Sequence, residues 1–148
     1  MDNLLNLVPV DEREDAARIL YQILLEREGA DNVNISHKAP PSFDQHCAFV
    51  ANHPYGAWYL IEAGSTIVGS VYLTKPPRPS IAGNEFGIFI FAAHQGKGYA
   101  KHAVRMVMEK HGPGRYLANI NPKNSRSLAL FLREGFDLCQ FTLEKNVT

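Results

Sequence analysis

The chain has 148 residues, 45% of them apolar and 20% charged, and its 15 Lys and Arg balance its 15 Asp and Glu. That suits one globular domain over 1–148, able to bury roughly 70% of its unfolded surface without covalent staples. Zero net charge argues against general nucleic-acid binding or a polybasic membrane anchor, and two cysteines without a CxxC, Cys47 and Cys139, argue against a disulfide framework or structural zinc. No apolar run approaches the ~18 residues of a membrane span. The start, Met1-Asp2-Asn3, lacks the basic residues of a signal peptide. A cytoplasmic protein with no membrane partner is the expectation.

Leu4 to Val10 is apolar enough for a first strand. Asp11 stands at a helix N-cap position with Glu14 three residues on, a capping-box spacing. Ala16, Ile19, Leu20, Ile23 and Leu24 recur at helical intervals, which predicts a helix from Glu12 to Glu28 ended by Gly29. Asp31 to Pro41 is polar and reads as a loop. Ser42 caps a second helix through Phe43, Cys47 and Val50, ending near His53-Pro54. Ala57 to Glu62 and Ile67 to Thr74 read as a hairpin about Gly64-Ser65. Glu85 to Ala92 is a buried central strand.

Gly96-Lys97-Gly98 follows, then a helix carrying Ala100, Ala103, Val104, Val107 and Met108, stopped by Gly112-Pro113-Gly114. Tyr116 to Ile120 is a fifth strand, Asn124 to Glu134 a fourth helix closed by Gly135, and Phe136 to Leu143 the last strand. The order is β-α-α-β-β-β-α-β-α-β. Three consecutive strands exclude a doubly wound fold and predict an α/β (α+β) domain, a mixed sheet covered by helices.

The chemistry concentrates where the central strand meets Gln95-Gly96-Lys97-Gly98-Tyr99-Ala100. A helix N-terminus leaves N–H groups unpaired and adds partial positive charge, and glycines let a phosphate approach the main chain. The turn therefore suits a pyrophosphate. It is not a dinucleotide fingerprint, because position 101 is Lys101, nor a P-loop, because GxxxxGK[ST] is absent.

Gln95, Gly98 and Ala100 match the Gln/Arg-x-x-Gly-x-Gly/Ala signature of the GNAT N-acetyltransferase family, which the chain resembles. A second motif supports this. Asn121-Pro122-Lys123-Asn124-Ser125-Arg126-Ser127, followed by Phe131 and Gly135-Phe136, is similar to the family's later signature at the family's spacing. The resemblance implies a mostly antiparallel sheet of six to seven strands flanked by four helices. It implies acetyl-CoA as co-substrate and no metal. The pyrophosphate would lie on amides of Gln95 to Ala100, and the pantetheine arm along Phe89, Ile90, Phe91 and Ala92. Asn124 matches the family asparagine that contacts the arm. Asn121 lies nearby, and capping or turn formation is the alternative for both.

The implied reaction is direct attack of a neutral amine on the thioester in a ternary complex. Glu85 begins the central strand, where family members place a general base; His94 is a second candidate. A backbone N–H near Ile90 would meet the developing oxyanion. The family's usual tyrosine acid corresponds here to Phe131, a departure that puts the standard acid in doubt. Tyr116 and Tyr99 are possible substitutes.

The implied acceptor region is rich in His and aromatics: His37, His46, His53, Tyr55, Trp58 and Tyr59. His37, Tyr55 and Trp58 are the predicted substrate contacts. That chemistry suits a small primary amine such as an amino sugar. A protein N-terminus, a polyamine, an aminoglycoside, or a catalytically silent CoA sensor are the alternatives. About a dozen residues follow Gly135-Phe136, so a seventh strand is short, missing or supplied by a partner. An exposed sheet edge would favour a homodimer.

Overall fold

The computed structural model describes residues 5–28, 39–75 and 84–148. Leu5–Pro9 forms β1. Val10 is buried, and Val10–Glu12 makes a separate 3-10 turn instead of opening the helix. α1 accordingly spans Ala16–Glu28, four residues later than its periodicity predicts. The reason is tertiary. Arg13 is extended, and its guanidinium pairs with Asp15 at 2.8 Å and reaches Glu62 of the neighbouring strand at 3.7 Å. Asp11 lies inside the 3-10 turn and does not open α1.

The second cap forms as predicted. Ser42 Oγ accepts from the Gln45 N–H at 3.2 Å, and the Ser42 N–H donates to Gln45 Oε1 at 2.9 Å. This capping box opens α2, Phe43–Ala51. β2, Ala57–Ala63, and β3, Thr66–Leu73, form the hairpin, with Gly64 at φ +62° in its turn. β4 covers Asn84–Ile90, ending two residues earlier than predicted because Ala92–His94 turns into a 3-10 helix. α3 is Tyr99–His111, β5 is Tyr116–Ala118 and α4 is Ser125–Arg133.

The sheet order is β1-β2-β3-β4-β5. The first four strands are antiparallel, and β5 runs parallel to β4. Both faces are covered. Tyr59, Ile61, Val71, Leu73, Phe86 and Ile90 pack against Ala103, Val104 and Val107 of α3 and Phe131 of α4. On the other face Leu60 and Phe89 meet Ala16, Ile19, Leu20 and Ile23 of α1. Gly69 permits the close approach of β3 to β4, since a Cβ there would strike the Phe89 carbonyl oxygen. Arg105 of α3 pairs with Glu134 just after α4 and so ties the two helices together.

One predicted element does not form. Among the described residues the sheet has five strands, not six to seven, and Phe136 to Leu143 is not a strand. Every residue from Asp137 to Thr148 is exposed. A strand exists only through ladder hydrogen bonds, and among the described residues none pairs with this segment. Its apolar composition favours burial, and the described residues of one chain do not supply it.

Candidate active site

The site begins with a mismatch in strand length. β4 pairs with β5 at Asn84↔Tyr116, Glu85↔Leu117 and Phe86↔Ala118, where β5 ends. β4 continues to Ile90. Peptide groups alternate in direction along a strand. Asn84 donates to Arg115 O on the β5 side, whereas Glu85 O accepts from Thr74 and Phe91 N–H donates to Val68 O on the β3 side. Ile88 and Ile90 therefore turn their N–H and C=O groups toward the side that β5 has left. Of the four residues predicted to line a bound arm, Ile90 faces this gap, Phe89 and Phe91 face β3, and Ala92 lies beyond the strand in the 3-10 turn with its N–H on Glu26.

Side chains hold the far end of the gap. Gln95 Nε2 donates to Ile90 O at 2.9 Å, and Arg126 of α4 donates to Gln95 Oε1 at 2.9 Å. The Ala92 N–H donates to Glu26 Oε1 of α1 at 2.6 Å. The turn beyond is shaped by Gly96 at φ +80° and Gly98 at φ +84°, conformations that favour glycine. A Cβ at either would meet nothing within 4 Å, so the space above the turn is open. Gly98 is the N-cap of α3 and carries no capping side chain, leaving the first-turn N–H groups of Tyr99 and Ala100 facing outward with Lys97 exposed beside them. These features fit a phosphate-bearing ligand with an amide-containing arm.

The later motif has structural duties of its own. Asn124 Oδ1 accepts from Ser127 N–H at 3.1 Å and caps α4, and Asn121 Oδ1 accepts from Lys123 N–H at 2.9 Å in the preceding turn. Phe131 is buried, 5.0 Å from the Phe136 ring and 6.0 Å from Phe86. Its position thus holds a buried apolar ring where the family resemblance leads one to expect a tyrosine. The Tyr116 hydroxyl donates to Gly112 O at 2.6 Å, so that proton is committed to the loop after α3. Tyr99 packs against the α3 core cluster.

The opposite face of β4 carries Glu85, Gly87 and Phe89 by alternation. Glu85 is half-buried, and its N–H donates to Thr74 Oγ1 at 3.2 Å. Tyr72 of β3 lies flat over Gly87, where a Cβ would collide with its ring. Tyr55 stacks on Tyr72 at 3.7 Å and 6°, and Trp58 meets Tyr55 edge-on at 4.7 Å. Phe49 closes this cluster, 5.9 Å from Tyr55. Burial, reinforced by Tyr72, pushes the Tyr55 hydroxyl well above the ordinary tyrosine range, so it remains protonated. Trp58 Nε1 is buried and has no hydrogen-bond partner among the described residues.

The sequence-predicted residues thus divide. Tyr55, Trp58 and Glu85 share one side of β4, while Ile90, Ala92 and the 95–100 turn mark its far end. His37 lies outside the described residues. His94 sits in the 3-10 turn with its N–H on Phe91 O at 2.8 Å. His46 is buried beside Tyr21, and burial lowers its pKa. Three residues escaped the sequence reading: Glu26, Tyr72 and Arg126. Arg126 was visible inside the later motif. Glu26 and Tyr72 gave no local signal, because their contacts cross 66 residues to Ala92 and the sheet to Gly87.

Comparison with known proteins bears on this geometry. A family profile described as an acetyltransferase (GNAT) domain matches residues 5–137. No curated protein matches the chain. Among solved structures, RimL, a ribosomal-protein alpha-N-acetyltransferase in complex with coenzyme A, superposes with a TM-score of 0.74 at 18% identity, covering 94% of this chain and 83% of its own. The spermidine N-acetyltransferase of Vibrio cholerae, in complex with CoA and spermine, gives 0.75 at 17% identity, covering 90% and 81%. A domain from Methanocaldococcus jannaschii gives 0.77 at 21% identity, covering 97% and 94%. These likenesses establish the fold.

Proposed function

Because the chain belongs to the GNAT acetyltransferase family, we propose that it moves the acetyl group of acetyl-CoA to the primary amine of a small molecule by direct attack in a ternary complex. One observation carries this reading: β4 outruns β5 by four residues and presents Ile88 and Ile90 along a gap that leads to a glycine turn at a helix N-terminus. When bound, acetyl-CoA supplies a thioester carbonyl open to attack by a neutral amine.

The chain's own groups take the remaining parts. Main-chain N–H groups from Gln95 to Ala100 hold the pyrophosphate, with Gly96 and Gly98 admitting it. The N–H and C=O groups of Ile88 and the N–H of Ile90 hold the amide arm as an added strand would, while Gln95 occupies the Ile90 carbonyl. An N–H on this edge also stabilises the negative charge that develops on the carbonyl oxygen. Asn124 and Asn121 fix the start of α4 beside the arm, and Phe131 packs behind it.

Two carboxylates bracket the acceptor side of β4. Glu85 lies three residues, about 10 Å along the strand, before Ile88. Glu26 sits at the other end, on the Ala92 amide. Such a pair suits a cationic amine: one carboxylate anchors the ammonium, and Glu85 accepts the proton directly or through a water. Tyr55, Trp58 and Tyr72 supply the apolar wall. An amino sugar fits this mixture of ring-stacking and polar groups and is the first acceptor to test. The names of the structural neighbours make polyamines and protein N-termini the next ones.

The leaving thiolate has no phenol waiting for it at Phe131. A thiol with an ordinary pKa near 8.5 leaves partly as thiolate without an acid. The same feature favours a second reading, a CoA-binding domain without turnover. Release of CoA from acetyl-CoA over a panel of amino sugars, polyamines, aminoglycosides and peptides separates the two, with calorimetric titration of acetyl-CoA alongside. Turnover on one acceptor class supports the transferase. Binding without turnover supports the sensor. Absence of binding refutes both.

A further inference from the structure

The segment after α4 is the least explained part of the molecule. Phe136 is anchored: its N–H donates to Phe131 O at 3.0 Å, and its ring lies 6.2 Å from Phe86 of β4. Beyond it the chain leaves the core. Leu138 is 65% exposed, Phe141 81%, Leu143 92% and Val147 83%. Leu128 and Leu132 on one face of α4 are exposed as well. Four large apolar side chains in ten residues of open chain are costly in water.

β5 has the complementary deficiency. It is the last strand in the sheet order, so one of its edges has no ladder partner among the described residues. Edge strands of this kind are usually blunted by charge, proline or a cover. Tyr116, Leu117 and Ala118 offer no charge and no proline. The unpaired segment and the unpaired edge belong to the same chain. A two-fold axis relating two copies would let each tail pair with the other copy's β5, satisfying both deficiencies twice. Zero net charge opposes no such association.

We propose that residues 137–144 form a strand in trans, pairing with the free edge of β5 in a second copy of this chain to build a two-fold homodimer. In a strand, Phe141 and Leu143 fall on one face and Leu138 on the other. Each tail would therefore extend both faces of its partner's sheet, and the exposed leucines of α4 lie on the helix that leads into the exchange.

The full-length chain tests this by light scattering behind size exclusion, from low to high micromolar concentration. The expected mass is twice the 16.5 kDa of one chain. Phe141→Asp and Leu143→Asp alter side chains that are 81% and 92% exposed, so each is expected to yield a folded monomer with unchanged circular dichroism. A monomeric wild type, or a dimer that survives both substitutions, would overturn the proposal. That the tail meets β5 of the other copy is tested separately. In a Cys47→Ser background, a cysteine placed in turn at Leu117 and Ala118 can be oxidised against the native Cys139. A disulfide between chains is expected, and it must be absent without the introduced cysteine. A disulfide within one chain, or none at either position, would also overturn it.

Discussion

Gly87→Ala probes how the aromatic cluster is seated on β4. Gly87 has ordinary strand geometry, so alanine can adopt its backbone conformation. The added methyl instead meets the ring of Tyr72. That ring cannot simply swing aside, because Tyr55 stacks on it at 3.7 Å and Trp58 stands edge-on to both. Overpacking of this kind costs about 2 kcal/mol. For a chain of this size the melting temperature should fall by roughly 4–8 °C. Thermal and urea unfolding measure the loss, and the Tyr72→Ala background isolates its cause. With the ring removed, Gly87→Ala should cost almost nothing, giving a coupling of about 2 kcal/mol in the double-mutant cycle. Functionally, displacing Tyr72 should raise KM for the acceptor and leave acetyl-CoA affinity unchanged. An equal penalty in both backgrounds would refute the reasoning and point to a backbone effect at position 87.

Gly69→Ala should be more damaging, because the obstacle there is the Phe89 carbonyl and backbone cannot rotate away; loss of cooperative unfolding, or a penalty above about 3 kcal/mol, is expected in a urea titration. Ser42→Ala removes one half of the capping box and should cost about 1 kcal/mol by thermal melting. Glu85→Gln should lower kcat with little change in acceptor KM, whereas Glu26→Gln should raise acceptor KM most; steady-state kinetics with the acceptor found by the panel would reveal the reverse assignment if it holds. Burial lowers the pKa of His46 below its ordinary value near 6.5. The unfolded chain therefore binds the proton more readily, and this contribution to stability is full above pH 6.5 and is lost as pH falls through the folded value. Urea midpoints at pH 7.5 and pH 5.5 should differ less in His46→Leu than in the wild type, and an unchanged difference would remove His46 as a cause.

Much of the architecture was legible from local signals. Helical periodicity located the four α-helices of the described residues, and the Ser42 capping box, the Gly64 turn and the glycines before α3 each acted where their chemistry predicts. These features depend on neighbours within a turn or two, so the sequence alone determined them. The glycine turn and the later asparagine motif likewise identified the family, because each is built from consecutive residues. Contacts between distant segments decided the rest. Arg13 delayed α1 by pairing with Glu62, the short β5 opened the gap beside Ile88 and Ile90, and Glu26 reached Ala92 across the fold. The segment after Phe136 has the composition of a strand and joins no ladder among the described residues. Composition reports how strongly a segment favours burial; only the three-dimensional arrangement determines whether a surface is there to bury it.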